Sequence, residues 1–360
     1  MYNIKENKKN NRWYYSAKPD KKKFVSLMYI LSLSVLIEFI IFETLPLFIY
    51  NFLLYDIGIY QSDFIYIFSP DELYYITVNI ATIILTLIAS AITVVFLNFC
   101  LRNFNSAQNS NVLTSYDKIS FKFKLPKNTF ALLIVGLCII QLSLFISEFL
   151  NKILNYFFDI TRSSLYDFMY FPETLFGAVL YFVTIVIMPA FIEEYIFRYI
   201  MLNALKKYGH VFAIITTAVL FGFLHARTSA FFYATAIGFF SAYIAIKTKS
   251  IWFSIILHAV VNANSFIFQY IAVQPFTDFV YNMIYFIFIN VISIIALIYL
   301  IILIIKKKNL KLSSPVNYIH IENRRKIVFF FNAASVIFFI LVILKSAEEY
   351  GFVNISNIHM

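Results

Sequence analysis

Ile192-Glu193-Glu194-Tyr195-Ile196-Phe197-Arg198-Tyr199 sets two adjacent carboxylates and an arginine inside one of the longest apolar runs of the chain. Upstream, Leu175 to Phe191 is apolar but for Thr184, with Gly177 and Pro189 as its only breaks. Downstream, the apolar pattern resumes through Ile200 to Leu205. A charge at membrane depth costs several kcal/mol unless it is paired or faces a wet cavity, so these residues mark a functional site. On a helix Glu194 and Arg198 are four residues apart and share a face, so they can pair. Glu193 is rotated by about 100° from Glu194 and has no local partner. One carboxylate is neutralised and its neighbour is left over.

Working outward, the whole chain of 360 residues is 61% hydrophobic and only 13% charged. Soluble domains lie near ~45–50% apolar and ~25% charged, which excludes an ordinary soluble enzyme. Repeated apolar runs of about 20 residues specify an all-α, polytopic transmembrane helical bundle. The spans are expected near 24–50, 73–101, 130–150, 174–205, 211–224, 229–246, 251–271, 279–305 and 327–344. That gives about eight to nine, the ninth either crossing or lying flat at the interface. The net charge of +10 raises nucleic acid as a partner. The basic residues instead cluster in short segments beside the apolar runs, as orientation signals do, so no nucleic acid is expected. Segments 1–23, 102–127, 206–207, 247–249 and 306–326 all fall on one side. They predict a multi-pass protein of the cell membrane with a cytoplasmic N-terminus. The basic start leads into an apolar run too long for a cleavable signal, so it reads as an anchor.

The chain divides into a basic, poorly ordered arm over 1–23, N-terminal spans 1–3 over 24–173, a core over 174–271, and C-terminal spans 8 and 9 with a tail over 272–360. The Asn/Ser-rich first half of the 102–127 loop reads as flexible, and the small residues of the sixth span as room for a water-filled cavity. Glu38 and Glu43 in the first span read as structural. Cys100 and Cys138 lie in apolar helices with neither metal spacing nor a disulfide pattern.

Two further motifs share the core. Phe221-Gly222-Phe223-Leu224-His225 closes the fifth span and His258-Ala259-Val260-Val261-Asn262 sits within the seventh. Phe221 with His225, and His258 with Asn262, are each spaced i, i+4 and project from one helix face. Counting from the basic ends at ~1.5 Å per residue puts Glu193 roughly 20 Å deep, His225 roughly 22 Å, and His258 and Asn262 roughly 12 and 18 Å. A lone buried histidine is more often a core residue than a catalyst. Four polar residues at similar depth on neighbouring spans are not so easily dismissed.

These motifs resemble, in order and spacing, the EExxxR, FxxxH and HxxxN signatures of the CAAX prenyl protease / bacteriocin-processing (CPBP, or Abi) intramembrane proteases. The resemblance covers about residues 174–271. It implies an intramembrane endopeptidase acting on a peptide or membrane-anchored protein within the lipid bilayer. It further implies that Glu193 activates water with the help of His225, that His258 and Asn262 donate to the oxyanion, and that Glu194 and Arg198 hold the helix in place, with Phe221 orienting. No cofactor is favoured. A zinc-dependent version remains open, with Glu193, His225 and His258 as a plausible ligand set, although no HExxH is present. A catalytically silent immunity or scaffold protein is the alternative from another class. A proton-coupled transporter would require inverted repeats, and the sequence shows no internal symmetry.

Overall fold

The protein is described by a computed structural model covering residues 3–7, 12–16, 21–51, 70–106, 118–158, 171–225, 228–272, 279–305 and 326–349. Of the loop expected over 102–127 with a flexible first half, residues 102–106 continue the helix before it and 107–117 lie outside the described residues, as does most of the 306–326 loop. The described chain is a bundle of apolar helices: α1 (Lys21–Asn51), α2 (Pro70–Ser106), α3 (Thr129–Phe158) and α4 (Leu175–Tyr208). Then come α5 (His210–Leu224), α6 (Thr228–Thr248), α7 (Trp252–Ala272), α8 (Phe279–Ile305), the short α9 (Val328–Phe331) and α10 (Ala333–Glu349). Five of them have a described stretch long and apolar enough to cross a membrane, and three shorter apolar helices accompany these. The all-α polytopic reading holds.

One segment departs from it. The N-terminal arm, expected to be poorly ordered, contains an antiparallel hairpin of β1 (Asn3–Asn7) and β2 (Arg12–Ser16), with Ile4 opposite Tyr15 and Glu6 opposite Trp13. Trp13, Tyr14 and Tyr15 are strand formers. The density of charge in the arm masks that signal.

The basic segments gather at one end of the bundle. Phe24, next to Lys23, packs edge-on against Tyr208 at 4.8 Å, and Lys207 lies over the Tyr208 ring. Lys326 lies over Phe212, and residues 118–124 join the turn at 249–251 through a bridge between Ser120 and Ser250. Segment 118–123 is a strap with a single bridge at Ser120 and bends at Phe121 and Lys122, where the sequence reading expects only a basic loop. Asn203 of α4 accepts from Ile119 N and donates to Ile119 O, both at 3.0 Å, as a neighbouring strand would. Ser120 N donates to Lys249 O, and Trp252 Nε1 donates to Phe121 O at 2.7 Å. Ile119 is buried, and Phe121 packs on Tyr195 and Tyr199 of α4. The strap therefore ties α4 to the start of α7.

Small residues pack α5 against α6. A Cβ on Gly238 would stand 3.0 Å from Ala218 Cα, and one on Gly222 would meet Thr235 and, at 2.9 Å, the Phe231 carbonyl. The small residues of the sixth span thus serve close packing at these contacts. Gly209, at φ 124°, makes the left-handed turn between α4 and α5 that other residues resist. α10 packs on α1, with Phe39 edge-on to Phe338 at 5.4 Å and Ser335 Oγ donating to Ser32 Oγ at 2.7 Å. The ninth span thus belongs to the bundle.

Candidate active site

The site is built on α4, which is not a regular α-helix. Two π-helical turns, Val183–Ile187 and Tyr195–Met201, flank the α-helical segment Met188–Glu194 that carries Pro189 and both glutamates. Pro189 has no N–H to return to the preceding turn, and a wider turn ahead of it accommodates that loss. π-Turns inside helices are frequent at functional sites. Their effect is to re-aim the side chains between them.

Glu194 and Arg198 pair as their spacing predicts, with Oε2 3.1 Å from Nε, and both are 0% exposed. The approach is an ion pair rather than a well-aligned hydrogen bond, since none of the guanidinium nitrogens makes a hydrogen bond of good geometry. The cation is supported instead by aromatic faces. Its carbon lies 4.4 Å from the Phe221 ring centroid and 5.9 Å from that of Phe197. A desolvated cation–π contact contributes up to about 2 kcal/mol.

Phe221 is the hub of the arrangement. Besides Arg198, its ring packs edge-on against Phe197 at 5.3 Å, His225 at 5.0 Å and His258 at 5.6 Å. One ring thus touches four of the polar and aromatic side chains at this depth. His225 caps the C-terminus of α5, with Nδ1 2.9 Å from the Phe221 carbonyl and the Tyr233 ring beside it. A carbonyl only accepts, so Nδ1 carries the proton and Nε2 is the accepting nitrogen of the neutral ring.

The contact no sequence rule can foresee is between Glu194 and His258. Nδ1 of His258 lies 3.1 Å from Glu194 Oε1, across 64 residues of sequence, and both side chains are buried. Glu194 therefore holds Arg198 with one oxygen and the imidazole of His258 with the other. The carboxylate fixes Nδ1 as the donor, and Nε2 is the nitrogen turned away from it. Asn262 follows one turn later on α7, half-buried, and its amide makes no hydrogen bond among the described residues.

Glu193 contrasts with its neighbour. Its Oε2 is buried and has no hydrogen-bond partner among the described residues. Glu38, read from sequence as structural, is 6% exposed in α1 and accepts from Thr93 Oγ1 at 2.5 Å and Ser90 Oγ at 3.3 Å. Glu43 lies in α1, and its side chain is outside the described residues.

A zinc site needs at least three ligands converging on one point. No group of three His, Cys, Asp or Glu side chains does so among the described residues.

Residues 175–264 match the family described as type II CAAX prenyl endopeptidase Rce1-like. The "Putative membrane peptidase YdiL" of Bacillus subtilis (strain 168) is 35% identical over 88 residues, which is 24% of this chain and 36% of that protein. The chain thus spans about a third of that relative's length. No solved structure matches. Every signature position in the matched segment is occupied, by Glu193, Glu194, Arg198, Phe221, His225, His258 and Asn262, and through that segment this multi-pass membrane protein is similar to the type II CAAX prenyl endopeptidases of the Rce1-like family.

Proposed function

We propose that the protein is an intramembrane endopeptidase in which Glu193 is the general base. The observation that carries this reading is the unequal treatment of two neighbouring glutamates. Glu194 is engaged by Arg198 and His258, while Glu193 has a buried oxygen without a partner. A general base must be a carboxylate that structure has not already consumed. In the reaction, Glu193 takes a proton from water as the oxygen attacks the scissile carbonyl. The accepting nitrogen of His225 helps hold that water. The oxyanion that forms is met by His258 and the amide of Asn262. The proton on Glu193 then passes to the leaving amine, and the peptide bond breaks. Glu194 acts on His258 as the buried aspartate of a catalytic triad acts on its histidine, holding the ring in place.

The reaction so written uses only side chains of this chain and no metal. The substrate class follows the family: a membrane-anchored peptide or protein, of which a prenylated C-terminus is one member. The test uses purified protein in liposomes with an internally quenched farnesylated CAAX peptide and a panel of quenched leader peptides. Glu193→Gln should reduce cleavage by at least about 10³-fold, near the upper range for one acid–base group, and leave the melting temperature unchanged. Near-normal turnover by Glu193→Gln rejects the assignment.

A further inference from the structure

A lysine that only orients a span keeps its ammonium in water at the end of a snorkelling stem. Lys206 and Lys207, which close α4, are instead each only 9% exposed. They stand beside a cluster of three rings. Phe24 of α1 packs on Tyr208 at 4.8 Å and on Phe212 of α5 at 6.1 Å. Lys207 Nζ lies 5.3 Å from the Tyr208 ring centroid. Lys326 Nζ, just ahead of α9, lies 5.5 Å from that of Phe212. Rings in contact therefore mount cations from two distant parts of the chain, and Lys23 adjoins the central ring in sequence.

The segments that supply these cations carry charge mostly of one sign. Asp20 and Glu322 are each followed by three basic residues, and 206–212 holds neither Asp nor Glu. An ammonium has three donors, so one held over an aromatic face can still donate to an anion. Apolar side chains stand immediately beside the cluster: Val25, Val211 and Ile327 are all exposed. A cationic cluster next to an exposed apolar surface, in a membrane-spanning bundle, suits an amphiphile. Its phosphate meets the ammonium groups and its acyl chain lies along the branched side chains. A free phosphate would gain the first contact and not the second.

We propose that Lys207 and Lys326, mounted on the rings of Tyr208, Phe24 and Phe212, bind the phosphate of an anionic phospholipid at the basic end of the bundle. Clusters of cations at the edge of an apolar span recognise such headgroups by charge. The site is made by the start of α1, the turn from α4 to α5 and the residues ahead of α9. A lipid bound there braces the N- and C-terminal helices against the segment 175–264. Binding is independent of the peptidase reaction.

The test titrates the full chain, purified in neutral detergent and stripped of lipid, with dioleoylphosphatidylglycerol, dioleoylphosphatidylcholine or inorganic phosphate. Binding is read by native mass spectrometry and by the rise in melting temperature that a bound ligand gives. Phosphatidylglycerol should bind about tenfold tighter than phosphatidylcholine, and inorganic phosphate should not raise the melting temperature at the same concentration. Lys207→Gln and Lys326→Gln should each weaken phosphatidylglycerol about fivefold, as for loss of one interfacial cation, while Lys207→Arg keeps parental binding. Lys326 is half-buried, so Lys326→Gln carries the test if Lys207→Gln fails to fold. Lys152→Gln, near the other end of α3, should bind as the parent does. Equal affinity for the two lipids, or a loss at Lys152→Gln as large as at Lys326→Gln, shows general surface charge and overturns the proposal. Stabilisation by inorganic phosphate equal to that by the lipid shows a free-anion site and overturns it as well.

Discussion

The N-terminal end of α4 and its middle each hold a buried carboxylate, and they treat it in opposite ways. At the end, Glu72 of α2 is 1% exposed and accepts from Glu173 N at 2.8 Å, from Thr174 N at 3.3 Å and from the Thr174 hydroxyl. Gly177 leaves room for it, since a Cβ there would meet Glu72 Oε1. Every bond serves to start a helix: backbone donors that lack intrahelical partners are satisfied, and negative charge sits at the positive end of the dipole. In the middle, Glu193 keeps a buried oxygen without a partner while Glu194 beside it is held on both oxygens. A fold minimising its free energy would treat Glu193 as it treats Glu72. Leaving it unsatisfied is what a site does when the missing partner is a reactant.

Replacing Glu194 tests the middle of the helix most severely. Glu194→Gln removes the counter-charge of a guanidinium that is wholly buried and has no aligned hydrogen bond. Breaking a buried pair from one side costs about 3–5 kcal/mol. Because the same carboxylate orients His258, surviving folded protein should also be slow, with kcat lowered and KM little changed. Thermal unfolding alongside single-turnover cleavage separates the two losses. A stable Glu194→Gln with normal turnover would erase the distinction between the neighbouring glutamates.

Asn262 tests whether the middle of α4 faces a reacting carbonyl. Its amide makes no hydrogen bond among the described residues, so Asn262→Ala removes little that stabilises the resting protein. Loss of one oxyanion donor lowers kcat by roughly 10²–10³-fold. The expected result is that loss with an unchanged melting temperature. A fall in stability without a fall in kcat would make Asn262 a packing residue like its neighbours on α7.

Much of this contrast is legible in the amino-acid sequence. The pairing of Glu194 with Arg198 follows from helical spacing, and the isolation of Glu193 follows from the same geometry. Such rules see along one helix only. The bond from Glu194 to His258 joins α4 to α7, and no local pattern encodes it. The anchoring of Glu38 is hidden for the same reason, since Ser90 and Thr93 that hold it lie more than 50 residues on. The strap does carry a signal: Ile119, Phe121 and Phe123 alternate with Ser120 and Lys122, the period of an extended strand. Its setting in a basic, Asn/Ser-rich loop obscures that period. Pro189 announces a disturbed helix, but neither the π-turn before it nor the one after Glu194 can be read from it.

The gentlest test is at the N-terminal end of α4. Glu72→Gln keeps one accepting oxygen, which can still serve Thr174, and loses the one that accepts from Glu173 N. The amide nitrogen then faces a backbone donor, so one N–H goes unsatisfied and the favourable charge at the helix start disappears. A hydrogen bond to a charged group contributes about 1.5–3 kcal/mol, and partial exposure of this end through Glu173 places the loss toward the lower figure. The melting temperature of Glu72→Gln should drop accordingly, while kcat and KM remain within about twofold of the parent, because nothing at this end touches the reacting atoms. If Glu72→Gln instead lowered kcat at unchanged stability, the contrast between a satisfied end and a reactive middle would fail, and α4 would have to be treated as one electrostatic unit from Glu72 to Arg198.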